Sequence, residues 1–319
     1  MIKNKLYEIQ DKTIWVAGHN GMVGSAIIRR LARENCKILT VDSKTLDLRR
    51  QEEVERWIKI NKPNIIIDAA AKVGGIHANT AMPAEFLYDN LMVEANIIHA
   101  AHQTGVEKLI LLGSSCIYPR ASTQPISEDQ LLTGPLEKTN EWYAIAKIAG
   151  VKLCQAYRQQ YDNDFISIMP TNLYGPGDNF DPNFSHVPAA LLDRFHEAKL
   201  HQQNTVKIWG TGTAMREFLH VDDLADACLF LLQYYSNTDP INVGTGMDIS
   251  IADFADMISK VVGYKGSIQF DTSKPDGTPR KLLDTTKLKN LGWRPRISLI
   301  EGLGRYYKWY LDNFNHVRR

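Results

Sequence analysis

The sequence lacks any long apolar run, and no stretch approaches the roughly 18 residues that a membrane helix requires. Its charges nearly cancel, with 37 lysines and arginines against 36 aspartates and glutamates. Nothing therefore predicts nucleic acid or a membrane surface as a partner. The N-terminal residues carry charge before any apolar segment begins, which is unlike a secretory signal peptide.

Cysteine is also scarce. The four cysteines, Cys36, Cys116, Cys154 and Cys228, are widely spaced and form no CxxC pair, which argues against a disulfide scaffold and a zinc site. We expect free thiols, a cytoplasmic protein and no bound metal. The 319 residues, 44% of them hydrophobic, allow one large domain or two closely joined ones.

The first half of the chain alternates short β-branched runs with longer helical patterns. Near-continuous apolar strands that alternate with helices predict a parallel sheet covered on both faces, and right-handed crossovers make it a doubly wound (Rossmann) α/β sheet. The predicted strands are residues 13–17, 37–41, 64–68, 108–112 and 165–169, and the predicted helices are 22–34, 51–60, 83–104 and 140–161.

The pattern changes after residue 170. Proline, glycine, asparagine and aspartate predict an ordered loop, and later segments predict two helices, a strand that returns to the main sheet and short mixed structure. These segments are residues 171–185, 187–198, 222–235, 240–243 and 248–319, in that order. We predict a dinucleotide-binding domain and a smaller mixed α/β substrate-binding domain that share a cleft. They comprise residues 1–170 plus 216–246 and residues 171–215 plus 247–319.

A glycine-rich loop, GHNGMVG at residues 18–24, follows the first predicted strand and opens a helix. Free backbone N–H groups at a helix N-terminus favour a pyrophosphate, and glycine lets the backbone approach it closely. The spacing differs from the usual GxGxxG, and a purely structural turn is the alternative. We expect a nicotinamide dinucleotide to contact Gly18, His19, Asn20, Gly21, Met22, Val23 and Gly24.

Asp42 lies at the end of the second predicted strand. A carboxylate there would hydrogen-bond a free ribose hydroxyl of the dinucleotide and would repel a 2′-phosphate. Lys44 could nevertheless reach such a phosphate. The alternative is that Asp42 only caps a turn.

Tyr143 and Lys147 lie one turn apart on the same face of a predicted helix. The lysine ammonium favours a phenolate, which predicts a lowered pKa for Tyr143 and a role in proton transfer. Upstream, the hydroxyl of Ser114 follows the fourth predicted strand and could bond a carbonyl oxygen beside Tyr143. Glycine loop, serine and YxxxK, in this order, resemble the short-chain dehydrogenase family.

Six longer strings resemble GDP-L-fucose synthases of the extended short-chain dehydrogenase/reductase family. They are AAAKVGGI, LGSSCIYP, YAIAKIAG, MPTNLYGP, MREFLHVDD and KPDGTPRK, which begin at residues 69, 112, 143, 169, 215 and 274. The resemblance implies that GDP-4-keto-6-deoxy-D-mannose is converted to GDP-L-fucose by 3,5-epimerisation and then by NADPH reduction at C4. It also implies a homodimer, for which the predicted helices 83–104 and 140–161 are the candidate interface.

The implied chemistry assigns roles to five residues. Ser114 and Tyr143 polarise the C4 ketone, which acidifies the protons at C3 and C5. Inversion needs a base on one face and an acid on the other, and the family's cysteine and histidine correspond to Cys116 and His186. Tyr143 then protonates the oxygen during reduction, and Lys147 also binds the nicotinamide ribose.

The resemblance implies further ligand contacts. The nucleotide and diphosphate are expected at Arg194, Trp209, Arg216 and Asp276, although Trp209 could equally be a core residue. The remaining cofactor contacts are expected at Leu112, Gly113, Ser114, Ser115, Lys147, Pro170, Thr171, Asn172, Leu173 and His186.

One departure from the family concerns the cofactor. Members usually carry basic residues where this chain has Asn20, Val41 and Ser43, beside the acidic Asp42. NADPH is the family expectation, and NADH stays open as the alternative.

Three other functions compete with the bifunctional one. A sugar-nucleotide 4-ketoreductase or epimerase could act on another GDP-4-keto sugar, and the fold could serve as a non-catalytic dinucleotide sensor. A dehydratase would need a carboxylate pair near Ser114, but no acidic residue follows it before Glu128.

Overall fold

The computed structural model describes residues 4–274 and 276–319, so Pro275 of the predicted turn at 274–277 lies outside the described residues. The strands in this part of the chain are β1 (Thr13–Ala17), β2 (Lys37–Leu39), β3 (Ile65–Asp68), β4 (Lys108–Leu112), β5 (Asp164–Pro170), β6 (Asn172–Tyr174), β7 (Thr205–Trp209), β8 (Met215–His220), β9 (Ile241–Val243), β10 (Asp248–Ser250), β11 (Ser267–Asp271) and β12 (Arg280–Lys281).

The helices alternate with these strands through the first half. They are α1 (Met22–Leu31), α2 (Gln51–Asn61), α3 (Ile76–Ala81), α4 (Pro83–Gln103), α5 (Glu141–Tyr161), α6 (Val187–Leu200), α7 (Val221–Tyr234), α8 (Ile251–Val262), α9 (Thr286–Leu291) and α10 (Leu299–Asp312). Within the described ranges, no helix is both long enough and apolar enough to cross a membrane.

The main sheet has six parallel strands in the order β2-β1-β3-β4-β5-β9. The predicted doubly wound α/β sheet is therefore confirmed. The connection that follows β1 leads to β2 on one side of it. The next connection crosses β1 and leads to β3 on its other side. Doubly wound sheets bind ligands at such a reversal, outside the carboxyl ends of the strands. The glycine loop directly follows β1 and lies at this place.

Both faces of the main sheet are covered because its strands are apolar at successive positions. Ile14 and Val16 of β1 join the core beneath α1 and α7, whereas Trp15 and Ala17 join the core beneath α2, α4 and α5. Successive side chains of a strand point to opposite faces, so a continuous apolar strand needs a helical layer on each side.

A second region carries its own core. Strands β10, β8 and β12 form one sheet, β6 adds to β8, and β7 pairs with β11. Helices α6, α8 and α10 enclose a separate apolar cluster there. Strand β8 crosses the boundary predicted at residue 216 and continues to His220, and the two-domain division stays a prediction.

Several predicted bounds are wrong by a few residues. Strand β2 ends at Leu39 because it lies at the sheet edge and pairs with β1 only that far. Helix α1 ends at Leu31, after which the chain turns. The segment 171–185 is not entirely loop, because β6 pairs with β8, and two short strands after α6 were missed.

The turn between β1 and α1 depends on glycine at two points. Gly18 has a φ of +76°, and a Cβ there would lie 2.6 Å from the carbonyl oxygen of Ala69. A Cβ at Gly24 would overlap the carbonyl oxygen of Gly18. The turn can close only because these positions lack side chains.

Gly24→Ala should push α1 away from this turn. We expect a lower melting temperature and at least a roughly tenfold weaker dinucleotide affinity, because the N–H groups that face the pyrophosphate are displaced. Thermal unfolding and calorimetric titration measure the two effects. The matched control is Gly304→Ala in α10, where a Cβ meets open space and alanine should stabilise the helix by about 1 kcal/mol. Unchanged affinity in Gly24→Ala would contradict the expectation.

Candidate active site

Four predicted catalytic residues meet at the carboxyl end of β4. The Ser114 hydroxyl accepts the backbone N–H of Cys116 at 3.2 Å and starts a single 3-10 turn that directs the thiol into the cleft. On α5, the Lys147 ammonium donates to the Leu112 carbonyl at 2.9 Å and lies 5.9 Å from the centre of the Tyr143 ring. The fold thus places the serine, thiol, phenol and ammonium side by side.

Tyr143 stays protonated in this setting. Burial raises the pKa of Tyr143 to about 12, while the Lys147 ammonium and a hydrogen bond with Ser114 act in the opposite direction. The pKa predicted from the sequence was a lowered one. The lysine does act in that direction, but the prediction is wrong because burial dominates. A phenol with this pKa is a proton donor at neutral pH, which suits the protonation of a new alkoxide.

Lys147 is charged although it is buried. Burial lowers the pKa of this lysine, but the Glu94 carboxylate acts most strongly against burial, and the net pKa is raised. The Glu94 carboxylate lies 2.7 Å from the Lys147 ammonium. A fixed positive charge is therefore held beneath the tyrosine.

Cys116 is half-buried and faces a lysine of the second region. The Lys281 ammonium, on β12, lies 3.4 Å from the Cys116 sulfur. Strand register pairs Lys281 with Arg216 of β8, so two cations point toward this part of the cleft. Reactive thiols occupy partly exposed, electropositive surroundings of this kind.

His186 immediately precedes α6, as its N-cap residue. The loop before it is fixed to the segment after β3, since the N–H of Gly75 donates to the Phe184 carbonyl at 3.0 Å. Part of the His186 side chain is exposed to solvent, and protein atoms surround the rest of it. This desolvation, together with the charge of Lys281, lowers the pKa of His186. Lys281 therefore acts on both the thiol and the imidazole.

Three predicted substrate residues lie close together. The Asp276 carboxylate accepts the Thr211 N–H at 2.7 Å, and Arg216 Nη2 lies 3.5 Å from the Asp276 carbonyl. Trp209 is 60% exposed, so it is not a core residue, and the Lys274 ammonium lies 5.5 Å from its ring. An exposed indole beside cations suits a planar base and a diphosphate.

The fourth, Arg194, lies on α6. Its guanidinium donates to the Lys207 carbonyl of β7 at 2.7 Å, two residues before Trp209. Burial lowers its pKa, but the group stays charged.

The segment Pro170 to Leu173 ties the main sheet to the second one. Asn172 Nδ2 donates to the Glu217 carbonyl at 2.8 Å, and the Thr171 N–H donates to the Val243 carbonyl at 3.0 Å. The contact of these residues with a cofactor stays a prediction.

Asp42 caps a turn. Its carboxylate accepts the N–H groups of Lys44 at 3.0 Å and of Thr45 at 2.8 Å, and the side chain is exposed. These hydrogen bonds lower the pKa of Asp42, so it is negatively charged at neutral pH. Asp42 can cap this turn and also hydrogen-bond a ribose hydroxyl, because both N–H groups donate to one carboxylate oxygen and the second oxygen is left for the ribose.

Three titratable residues of the site were missed from the sequence. Lys281 ends the matched string KPDGTPRK but received no role. Asp68 ends β3, and Glu94 interrupts an apolar stretch of a helix. An acidic residue within an apolar helical face was the available signal for Glu94, since such groups are rarely buried unless paired. In the part of the chain that is described, no cluster of His, Cys, Asp and Glu could hold a metal.

Comparison with known proteins gives concordant results. Residues 14–244 match the model of the NAD dependent epimerase/dehydratase family. A GDP-L-fucose synthase of Sinorhizobium fredii is 58% identical over 308 residues, which cover 97% of this chain and 98% of that protein. One of Escherichia coli is 53% identical over 320 residues, covering 97% of this chain and 100% of that protein.

A solved structure is similar along the whole chain. The crystal structure of a GDP-L-fucose synthetase from Naegleria fowleri bound to NADP superposes with a TM-score of 0.92 at 27% identity, and the match covers 99% of both chains.

Proposed function

We propose that this chain, which belongs to the NAD dependent epimerase/dehydratase family, converts GDP-4-keto-6-deoxy-D-mannose to GDP-L-fucose. The observation that carries this proposal is the presence of two chemistries at one strand end. Ser114, Tyr143 and Lys147 form a reductase group, and the Cys116 thiol lies beside it under a lysine ammonium. Relatives that bear this activity in their names match the chain from end to end.

Epimerisation comes first in the proposed sequence. Ser114 and Tyr143 hydrogen-bond the C4 ketone oxygen and stabilise the enolate that forms when a proton leaves C3 or C5. The Cys116 sulfur, which lies 3.4 Å from the Lys281 ammonium, removes the proton. His186 returns a proton on the opposite face, and its lowered pKa makes the imidazolium a stronger acid.

Reduction follows at the same ketone. The Tyr143 phenol donates its proton to the C4 oxygen, and the Lys147 ammonium stabilises the phenolate that remains. Because Lys147 is anchored to the Leu112 carbonyl, its charge cannot move away from the tyrosine. The nicotinamide supplies the hydride when it is bound.

The residues present fit a dinucleotide. The glycine turn leaves no space for side chains at positions 18 and 24, as close approach to a pyrophosphate requires. We assign NADPH as the cofactor, held by residues 18–24, by Leu112 to Ser115, by Lys147 and by the turn of residues 170–173. Lys44 is the residue available for the 2′-phosphate, beside Asp42.

For the substrate, Arg194 and Arg216 would bind the diphosphate, and Trp209 would pack on the guanine. Asp276 fixes the Thr211 turn beside them and could accept guanine N–H groups. A GDP-4-keto sugar other than the mannose derivative is the alternative substrate, and a pure 4-ketoreductase is the alternative enzyme. Cys116 with Lys281 favours the epimerase, because reduction alone needs neither.

We further propose a cytoplasmic homodimer. Large apolar side chains are exposed near the N-terminal ends of two adjacent helices: Tyr88 and Leu91 on α4, and Trp142 and Ile145 on α5. Two copies of this patch, which we call the α4–α5 patch, would cover each other around a two-fold axis. A reducing compartment suits the proposed base, since all four cysteines are free thiols.

Turnover in deuterated water tests the epimerase. With GDP-4-keto-6-deoxy-D-mannose and NADPH, the product should carry deuterium at C3 and C5, as seen by mass spectrometry and NMR. Cys116→Ser should lower incorporation about a hundredfold or more, because the base is lost, and should retain cofactor affinity. The same substitution at Cys36, outside the cleft, is the control. Product without deuterium from the unaltered enzyme would refute epimerisation.

The cofactor assignment predicts a higher kcat/KM with NADPH than with NADH. Asp42→Asn removes one exposed negative charge but keeps the oxygen that accepts the Lys44 and Thr45 N–H groups. We expect the preference for NADPH to rise roughly fivefold, less at high salt. Steady-state kinetics with both cofactors measure the ratio. A far higher kcat/KM with NADH in the unaltered enzyme would overturn the assignment.

The dimer proposal predicts a two-chain mass in sedimentation equilibrium at micromolar concentration. Leu91→Glu should shift the equilibrium toward monomer, since a charge would be buried in the α4–α5 patch. Leu200→Glu, at an exposed position on α6, is the control and should leave the mass unchanged. A monomer before any substitution would contradict the proposal.

A further inference from the structure

Three charged or titratable groups lie buried beneath Tyr143, and the reaction above uses only one of them. Lys147, Glu94 and Asp68 each expose 2% of their surface or less. The Lys147 ammonium lies 2.7 Å from the Glu94 carboxylate. An ion pair shielded from water is costly to build and damaging to break. Because the free-energy cost of this buried ion pair is high, we infer that it has a role in the reaction in addition to packing.

The fold brings these groups together from three elements. Asp68 of β3 is aligned with Leu111 of β4, which is aligned with Ser167 of β5, so Asp68 and Ser167 point to the same face of the sheet. Helices α4 and α5 cover this face and supply Glu94 and Lys147.

The glycine at position 150 makes room for the Glu94 carboxylate. A Cβ at Gly150 would overlap Glu94 Oε2. Gly150 lies one turn after Lys147 on α5, so the helix that carries the lysine also provides the space for its counter-ion. Tyr143, Lys147 and Gly150 therefore lie at successive turns on one face of α5.

The protonation states of the cluster follow from its charges. Burial raises the pKa of Glu94, and it raises that of Asp68 to about 7, with Lys147 acting against burial in both cases. The Glu94 charge raises the pKa of Asp68 further. One ammonium with two carboxyl groups is neutral when one carboxyl keeps its proton. Glu94 contacts the ammonium directly, and Asp68 is therefore the protonated one.

The surroundings of Asp68 agree with a carboxylic acid. One Asp68 oxygen accepts the Ala70 N–H at 3.0 Å, and its other oxygen has no hydrogen-bond partner within residues 4–274 and 276–319. The Glu94 oxygens also lack a hydrogen-bond partner there, but one of them lies 2.7 Å from the Lys147 ammonium, whereas Asp68 has no such ion pair. Besides Glu94 and Lys147, the titratable groups that face the cluster are Tyr143 and Cys154. Burial raises the pKa of both, so both are uncharged at neutral pH.

We propose that Glu94 is a positioning residue for the reduction, whose carboxylate holds the Lys147 ammonium charged and fixed beneath Tyr143, with Asp68 as the neutral third member of the cluster. The inference rests on the proposed function, because it assigns a role within that reaction. No bond to Glu94 is made or broken. Its charge decides how readily the Tyr143–Lys147 pair loses its first proton.

The test is the alkaline limb of the pH–rate profile for reduction. Glu94→Gln removes the negative charge that lies 2.7 Å from the Lys147 ammonium. Asp68 can then ionise, but it makes no ion pair with Lys147 within 4 Å in the described residues, so it replaces that charge only in part. The first proton should therefore leave at lower pH, whether it comes from the tyrosine or the lysine. We expect the limb to move down by roughly one pH unit or more. Glu53→Gln, at an exposed position on α2, is the matched control. A merely structural role would lower kcat at every pH and leave the limb in place.

Gly150→Ala provides a second variant in which the carboxylate is displaced and not removed. It should move the limb in the same direction by a smaller amount, and it carries the test if Glu94→Gln fails to fold. An unmoved limb in both Glu94→Gln and Gly150→Ala would overturn the inference.

A readout without substrate separates the two proposals. Ultraviolet difference titration of the NADP complex against its Tyr143→Phe counterpart follows the ionisation of this one tyrosine. The midpoint should fall in Glu94→Gln and in Gly150→Ala. An enzyme that turns over no 4-keto sugar nucleotide would refute the proposed function. An unmoved midpoint would refute the role of Glu94, whatever the substrate is.

Discussion

Lys147 carries a positive charge in a place that water does not reach, and the centre of the molecule is arranged to keep it there. The Leu112 carbonyl accepts a hydrogen bond from the ammonium, the Glu94 carboxylate compensates its charge, and Gly150 leaves space for that carboxylate. A buried ammonium without these partners would lose its proton. Strand β4 and helices α4 and α5 therefore have to pack in one relative position, which also fixes Tyr143.

The second sheet contributes positively charged side chains to the site. Strand β12 is only two residues long, yet its register with β8 sets Lys281 beside Arg216 and within reach of Cys116. Lys281 contacts the thiol, whereas Arg216 lies against Asp276. The proposed function therefore assigns the two cations to different ends of the substrate. Both regions of the chain thus contribute to one cleft.

Much of the main sheet could be predicted from the sequence because its strands and helices have clear hydrophobic patterns. The apolar runs of β1, β3 and β4 and the helical periodicity of α4 and α5 predicted the doubly wound sheet, and the glycine turn located its ligand edge. The short strands β6, β7 and β12 were missed because strands of two to five residues leave little periodic signal and are decided by their partners. Glu94, Asp68 and Lys281 acquire meaning only through contacts with residues distant in the sequence, which no local pattern encodes. The pKa of Tyr143 was predicted in the wrong direction for the same reason, since its burial depends on the whole cleft.

The spacing of Ser114 and Cys116 has a consequence for how a sugar passes through the enzyme. In the proposed reaction, Ser114 polarises the ketone and the Cys116 thiol takes the neighbouring proton. Only one residue, Ser115, separates them, within one 3-10 turn. A ketone held by Ser114 is therefore already in place for both stages of the proposed reaction. The intermediates can remain bound from the first proton abstraction to the final alcohol, and the unstable keto sugars need never be released into solution. In this arrangement, epimerisation and reduction take place on one bound molecule in one cleft, without transport between two sites.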